Sequence, residues 1–254
     1  MNAKKMPVTG HIQELRKRLI TVLIFFLFAL VVGFFTAKPV IRYLQHAENA
    51  GMFTMNAFRV TDPIKVFMEV SVVIACLLTL PVILYQLWAF ISPGMYEKEK
   101  KLTLSYIPVS ILLFIAGVSF SYFVLCPLMV KFMMGLSNEM GIRAVIGIRE
   151  YIQFLLEITL PFGFVFQMPV VVLFLTQLGI ITPRLLKKAR KYAYLALIAA
   201  AGIITPPDVF SQLITFVPLV LLYEASTLIS KMAYRNAQKA AKEMPMDEQT
   251  IPSE

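Results

Sequence analysis

Residues 19–37 form an uncharged, apolar run of about 19 residues, long enough to cross a hydrocarbon core of about 30 Å. Comparable runs recur at 66–91, 102–128 and 150–178, and a last apolar stretch covers 192–230. No other feature constrains the fold so tightly. In hydrocarbon every backbone N–H and C=O must be satisfied within the protein, which leaves helices or closed barrels. Continuous apolarity, rather than alternation, selects helices. The last stretch is interrupted by Thr205-Pro206-Pro207-Asp208, and two prolines with a charge mark a turn at the far face. The predicted fold is all-α: a polytopic integral membrane protein with six transmembrane helices. Spans five and six are expected to be short. Span five, residues 192–204, supplies about 13 residues, or about 20 Å at 1.5 Å per residue.

Only 15% of the residues are charged, where a soluble domain carries about a quarter, so the bilayer takes the place of a large core. The basic residues set the orientation. Of 24 Lys and Arg, roughly 17 fall in segments on one side and about 7 on the other. The richer side is cytoplasmic, and an even span count places both termini there. The net charge of +9 then reflects inner loops facing anionic lipid, and no nucleic-acid partner is implied. The first span is too long for the core of a signal peptide and no small-residue cleavage site follows it, so it is expected to be retained. Cys76 and Cys126 both lie in apolar segments, and His11 and His46 lie far apart in the chain. That pattern offers neither a disulfide framework nor a metal site. No phosphate loop, nucleophile elbow or dinucleotide fingerprint occurs, so no enzyme activity and no cofactor are expected.

The chain divides into an N-terminal region (1–18), a membrane domain (19–231) and a tail (232–254) expected to be disordered. The first outer loop, 38–65, is long for a bare connection and is expected to fold into short interfacial helices. Asp62 is placed as the cap of span two, with Pro63 at the first helical position. The second outer loop, 131–149, carries Gly135, Asn138, Gly141 and Gly147 as breakers. Gly179 is placed as the C-cap of span four, and Thr182-Pro183 as the start of span five.

The turn between spans two and three concentrates chemistry. Tyr85, Trp88 and Phe90 sit where a headgroup belt holds aromatics. Ser92-Pro93-Gly94 then turns the chain, and Lys98, Lys100 and Lys101 surround Glu97 and Glu99. A carboxylate on an otherwise basic surface can receive a guanidinium through paired, charge-assisted hydrogen bonds.

Four segments in order carry a resemblance: His11-Ile12-Gln13-Glu14-Leu15-Arg16-Lys17-Arg18-Leu19, Pro81 to Phe90, Pro161 to Pro169, and Thr205 to Gln212. Together they resemble TatC, the multi-span subunit of the twin-arginine protein translocase, over about residues 11–234. The resemblance implies a receptor for twin-arginine signal peptides in a bacterial cell membrane. Folded cargo then crosses with TatA-type single-span subunits, driven by the proton-motive force, in a larger homo-oligomeric complex. On matching positions the receptor surface comprises Glu14, Arg16, Arg18, Phe90 and Glu99. Two departures stand out. Gln167 occupies a position where many relatives have Glu, and the first outer loop reads His46-Ala47-Glu48 where some relatives have a proline.

Each of these residues also has a plainer explanation. Glu99 can pair with its lysine neighbours, Phe90 can be a belt aromatic, and Arg16, Lys17 and Arg18 anchor the helix at headgroups. Gln167 is expected either to contact a partner subunit or to satisfy carbonyls freed by Pro161 or Pro169. In the outer turn Pro206, Pro207, Asp208 and Gln212 are assigned structural roles, with Asp208 as N-cap of span six. Glu157 and Glu224 are intramembrane or near-interface acids. The competing reading is a small-molecule secondary transporter or channel, which requires Glu157, Gln167 and Glu224 to line one polar path.

Overall fold

The structure is a computed structural model. It describes residues 8–46, 55–91, 106–142, 145–177, 179–205 and 208–242. The chain folds as two compact units, residues 1–164 and 165–254.

In the first unit, α1 (Val8–Gln45) and α2 (Asp62–Ile91) pack along their length. The seam is made by small residues. Ala29 and Ala37 on α1 are buried, as are Ser71 and Ala75 on α2. Gly33, one turn from each alanine, lies so close to α2 that an added Cβ would overlap the Ser71 carbonyl oxygen. This i, i+4, i+8 pattern of small side chains is the usual way membrane helices approach closely. Phe34 and Phe67 flank the seam edge to face, with ring centroids 4.7 Å apart. The opposite face of α1 exposes Leu23, Leu27, Phe28, Val31 and Phe35, a large apolar surface suited to lipid and to no aqueous environment.

Span three is one long helical path: α3 (Tyr106–Phe120), a π-helical turn (Ser121–Leu125) and α4 (Cys126–Glu139). Pro127 falls in the first turn after the π segment, where its missing N–H is tolerated. Helix therefore continues to Glu139, well into the segment expected to be outer loop. It ends at Gly141, whose φ of 69° supplies the left-handed residue of a Schellman cap. Ile142 N–H reaches the Ser137 carbonyl at 2.9 Å, and Gly141 N–H reaches that of Asn138 at 3.1 Å.

The segment expected to be the first outer loop also departs from expectation. Helix α1 runs on through Lys38, Pro39 and Arg42 to Gln45, and the described remainder contains a strand, β1 (Met55–Asn56), not interfacial helices. That strand pairs in parallel with β2 (Ile146–Gly147), between α4 and α5, Met55 opposite Ile146. The long-range pairing satisfies backbone groups that a local helix would otherwise have satisfied. Asp62 is buried within the first turn of α2, and its carboxylate accepts from Arg59 N–H at 2.8 Å. It therefore closes the preceding turn, and the helix opens with Lys65 N–H bonded to the Thr61 carbonyl.

Span four begins as α5 (Ile148–Val165), breaks at Phe166-Gln167 and resumes in the second unit as α6 (Met168–Gln177). Gly163 lets α5 approach α3, because a Cβ there would sit 2.7 Å from the Phe114 ring. In the second unit α6 ends at Gly179, φ 72°, in the same Schellman geometry. Helix α7 (Pro183–Ile204) opens with Thr182 Oγ1 accepting from Leu185 N–H at 3.3 Å. Helix α8 (Val209–Lys242) follows. It extends through Lys242, past residue 231 where a disordered tail was expected. Residues such as Ala233, Arg235, Ala237, Gln238 and Lys239 are strong helix formers that continue an existing nucleus.

Among the described residues five helical segments are long and apolar enough to cross a membrane: Gln13–Gln45, Asp62–Phe90, Tyr106–Glu139, Ile148–Gln177 and Val209–Arg235. The protein is thus an all-α polytopic membrane protein with five or six apolar helices. Helix α7 is the ambiguous one. Its 22 residues would reach about 33 Å, yet Arg184, Lys187, Lys188, Arg190 and Lys191 occupy its first half. Span six is not short as a helix. Its uncharged part is nonetheless limited, since only about 15 residues, roughly 22 Å, separate Val209 from the acidic Glu224.

Candidate functional site

The N-terminal part of α1 and the C-terminal end of α2 meet around one guanidinium. Glu14 and Arg18 lie one turn apart on α1, on the face turned toward α2, and both are partly buried. Arg16 and Lys17 lie between them on the exposed side, as a period of 3.6 residues requires. Arg18 forms an ion pair with Glu14, its Nε donating to Glu14 Oε1 at 3.2 Å as well. Its remaining donors cross to α2. Nη1 donates to Gln86 Oε1 at 3.2 Å and Nη2 to the Ala89 carbonyl at 2.8 Å. Ala89 belongs to the last turn of α2, whose carbonyls have no partner within the helix and carry the negative end of its dipole. A cation is therefore held between a carboxylate, an amide oxygen and a helix C-terminus.

Phe90 directly follows Ala89 and is half-buried. Tyr85 and Trp88 pack together nearby, their ring centroids 5.8 Å apart. The structure thus brings Glu14, Arg18 and the α2 terminus bearing Phe90 to one place, with Arg16 exposed on the same helical turn of α1. Glu99 lies outside the described residues. Gln86 was not singled out from the sequence. A lone amide four residues before Phe90 in an otherwise apolar span was the available signal.

A second polar feature of this unit is an open groove of about 660 Å³ between α2 and α5, lined by Met68, Glu69, Val72, Arg149, Gln153 and Glu157. Arg149 Nε lies 3.7 Å from Glu69 Oε1, and Gln153 donates to Glu157 at 2.7 Å. Glu157 is accordingly engaged within its own helix. Glu69, also missed from sequence, was signalled by being the lone acid inside span two.

In the second unit, Glu224 of α8 pairs with Arg190 of α7 and accepts from Tyr194 Oη at 2.6 Å. Tyr223 Oη reaches the Leu186 carbonyl at 2.8 Å, and Thr176 and Ser230 hydroxyls meet at 2.7 Å. Asp208 Oδ1 accepts from Ser211 N–H at 2.7 Å at the start of α8. Gln212 Nε2 donates to the Ile198 carbonyl at 3.1 Å, tying α8 to α7. Pro206 and Pro207 lie outside the described residues. Gln167 stands at the break in span four, where its carbonyl accepts from Val170 and Val171 N–H, each at 3.0 Å, and so starts α6. Among the described residues no group of three His, Cys, Asp or Glu side chains is arranged to hold a metal.

Residues 10–218 match the family model for Sec-independent protein translocase protein (TatC). The chain is 56% identical over 241 residues to TatCy of Bacillus subtilis (strain 168), covering 95% of both chains. It is 51% identical over 242 residues to TatC of Halalkalibacterium halodurans, covering 95% of this chain and 96% of the relative. A solved structure described as the twin-arginine translocase receptor TatC superposes with a TM-score of 0.78 at 35% identity, covering 88% of this chain and 99% of the other. Five or six apolar helices and similarity at this level over 95% of the chain lead to one conclusion: the chain belongs to the TatC family, the non-catalytic core receptor subunits of the twin-arginine translocase, multi-pass proteins of bacterial membranes.

Proposed function

We propose that the inner end of the α1–α2 pair, with the segment that follows α2 in the sequence, receives the signal peptide at the cytoplasmic face. Glu14 and Glu99 take the two guanidinium groups of the twin-arginine motif, and Phe90 contacts its apolar flank. Arg16 and Arg18 complete the surface, with both termini on the same side of the membrane. The observation that carries this reading is the guanidinium of Arg18 held between Glu14 and the Ala89 carbonyl, next to Phe90. A site that holds one arginine from its own chain has the chemistry to hold another.

TatA-type single-span subunits are proposed to dock beside spans five and six. There the uncharged lengths of about 13 and 15 residues fall short of a hydrocarbon core of about 30 Å. Gln167 is a further candidate contact for such a partner. The receptor is proposed to act as part of a larger homo-oligomeric complex that exports folded cargo at the expense of the proton-motive force. For the transporter alternative, Glu157 is engaged by Gln153, and Glu224 by Arg190 and Tyr194, so neither acid favours it.

The test is binding of twin-arginine and twin-lysine signal peptides to the purified protein and to Glu99→Gln. Loss of one charge-assisted contact costs about 1.5–3 kcal/mol, a ten- to hundredfold weaker twin-arginine complex. Unchanged affinity in a folded Glu99→Gln protein would remove Glu99 from the site. Equal affinity of the unmodified protein for the two peptides would remove the site itself.

A further inference from the structure

We propose that Arg18 competes with the peptide: its guanidinium occupies Glu14 and the Ala89 carbonyl, and a twin-arginine motif binds there by displacing it. The inference rests on the receptor reading above and adds an affinity threshold to it. Arg18 spends its donors on three acceptors, Glu14 on its own helix and Gln86 and Ala89 on α2. Two of these acceptors, a carboxylate and the negative end of a helix, would attract any incoming cation.

Exchange of Arg18 for one peptide arginine replaces like with like. A guanidinium leaves the carboxylate and carbonyl, and a guanidinium arrives, so this step alone yields little net affinity. A lysine does worse, because a single ammonium nitrogen cannot reproduce the planar fork that reaches carboxylate, amide and carbonyl together. Net binding must then come from a second contact made at the same time. An adjacent arginine supplies it, and a lone arginine does not. The competitor thereby weakens every cationic peptide alike and sets a threshold that a motif with two neighbouring guanidinium groups can pass. It also keeps Glu14 paired, which avoids a partly buried, uncompensated carboxylate next to lipid.

Arg18→Gln retains an amide donor but removes the charge and the fork. The measurement is the affinity of the full-length protein in detergent for three labelled signal peptides: Arg-Arg, Arg-Lys and Lys-Lys. With the competitor gone, all three peptides should bind more tightly by a similar factor, about tenfold for one charge-assisted contact. A purely structural role for Arg18 would weaken all three instead. Gln86→Leu loosens Arg18 without touching Glu14 and should tighten binding by a smaller factor, which covers the case in which Arg18→Gln does not fold. Unchanged or weaker binding in the folded variants overturns the proposal. If the unmodified protein shows no preference for Arg-Arg, the receptor reading fails instead, and the two failures are distinct.

Discussion

Replacing Gly33 by alanine tests the seam on which the receptor end depends. The new Cβ would overlap the Ser71 carbonyl oxygen and lie 3.3 Å from its carbon and 3.5 Å from Ala75 N. All three are backbone atoms, so no side chain can rotate away. The helices must separate by on the order of 1 Å, which forfeits dispersion contact along the seam. Overpacking of this kind costs about 1–3 kcal/mol. Relief of glycine's backbone entropy returns about 0.5–1 kcal/mol. The net loss is about 1.5 kcal/mol, a fall in Tm of about 3–6 °C for a chain of this size. Gly135→Ala is the matched control. Nothing lies within 4 Å of its added Cβ and it sits inside α4, so only the entropic gain remains. Its Tm should rise by about 1–4 °C. Thermal unfolding of both variants in one detergent gives the comparison. Shifts of the same sign and size would show that the α1–α2 approach does not constrain residue 33.

Asp208→Ala should destabilise the protein by about 0.5–2 kcal/mol through loss of the bond to Ser211 N–H, while Asp208→Asn keeps most of it, read from unfolding midpoints. Four leucines inserted after Ala200 would lengthen α7 by about 6 Å and pull Gln212 from the Ile198 carbonyl. Export and crosslinking to single-span partners should both fall, and undiminished export from a normally inserted variant would exclude thinning beside spans five and six. Single cysteines at Gly51 and Asn138 should label from outside and at Met95 and Lys188 from inside; labelling of Gly51 from the cytoplasm would reverse the orientation.

The membrane fold could be read from residue order alone, because the bilayer imposes a rule that needs no knowledge of tertiary contacts. An apolar run of sufficient length must be helical, and lysines and arginines bias the loops they occupy. Local terminators were legible for the same reason: Gly179, Thr182-Pro183 and Asp208 act through bonds to residues at most five positions away. Glu14, Arg18 and Phe90 could be named in sequence because family motifs mark them. What Arg18 does could not. Its bonds to Gln86 and Ala89 span 68 and 71 positions, and only the packing of α1 on α2 brings those acceptors within reach. The seam of Ala29, Gly33 and Ala37 against Ser71 and Ala75 was not read from sequence either, because an apolar run does not show which face meets a neighbour. The pairing of β1 with β2 and the redirected carboxylate of Asp62 were hidden too. Sequence specifies which groups need partners. Where several partners are chemically equivalent, only the tertiary structure decides which one is near enough to serve.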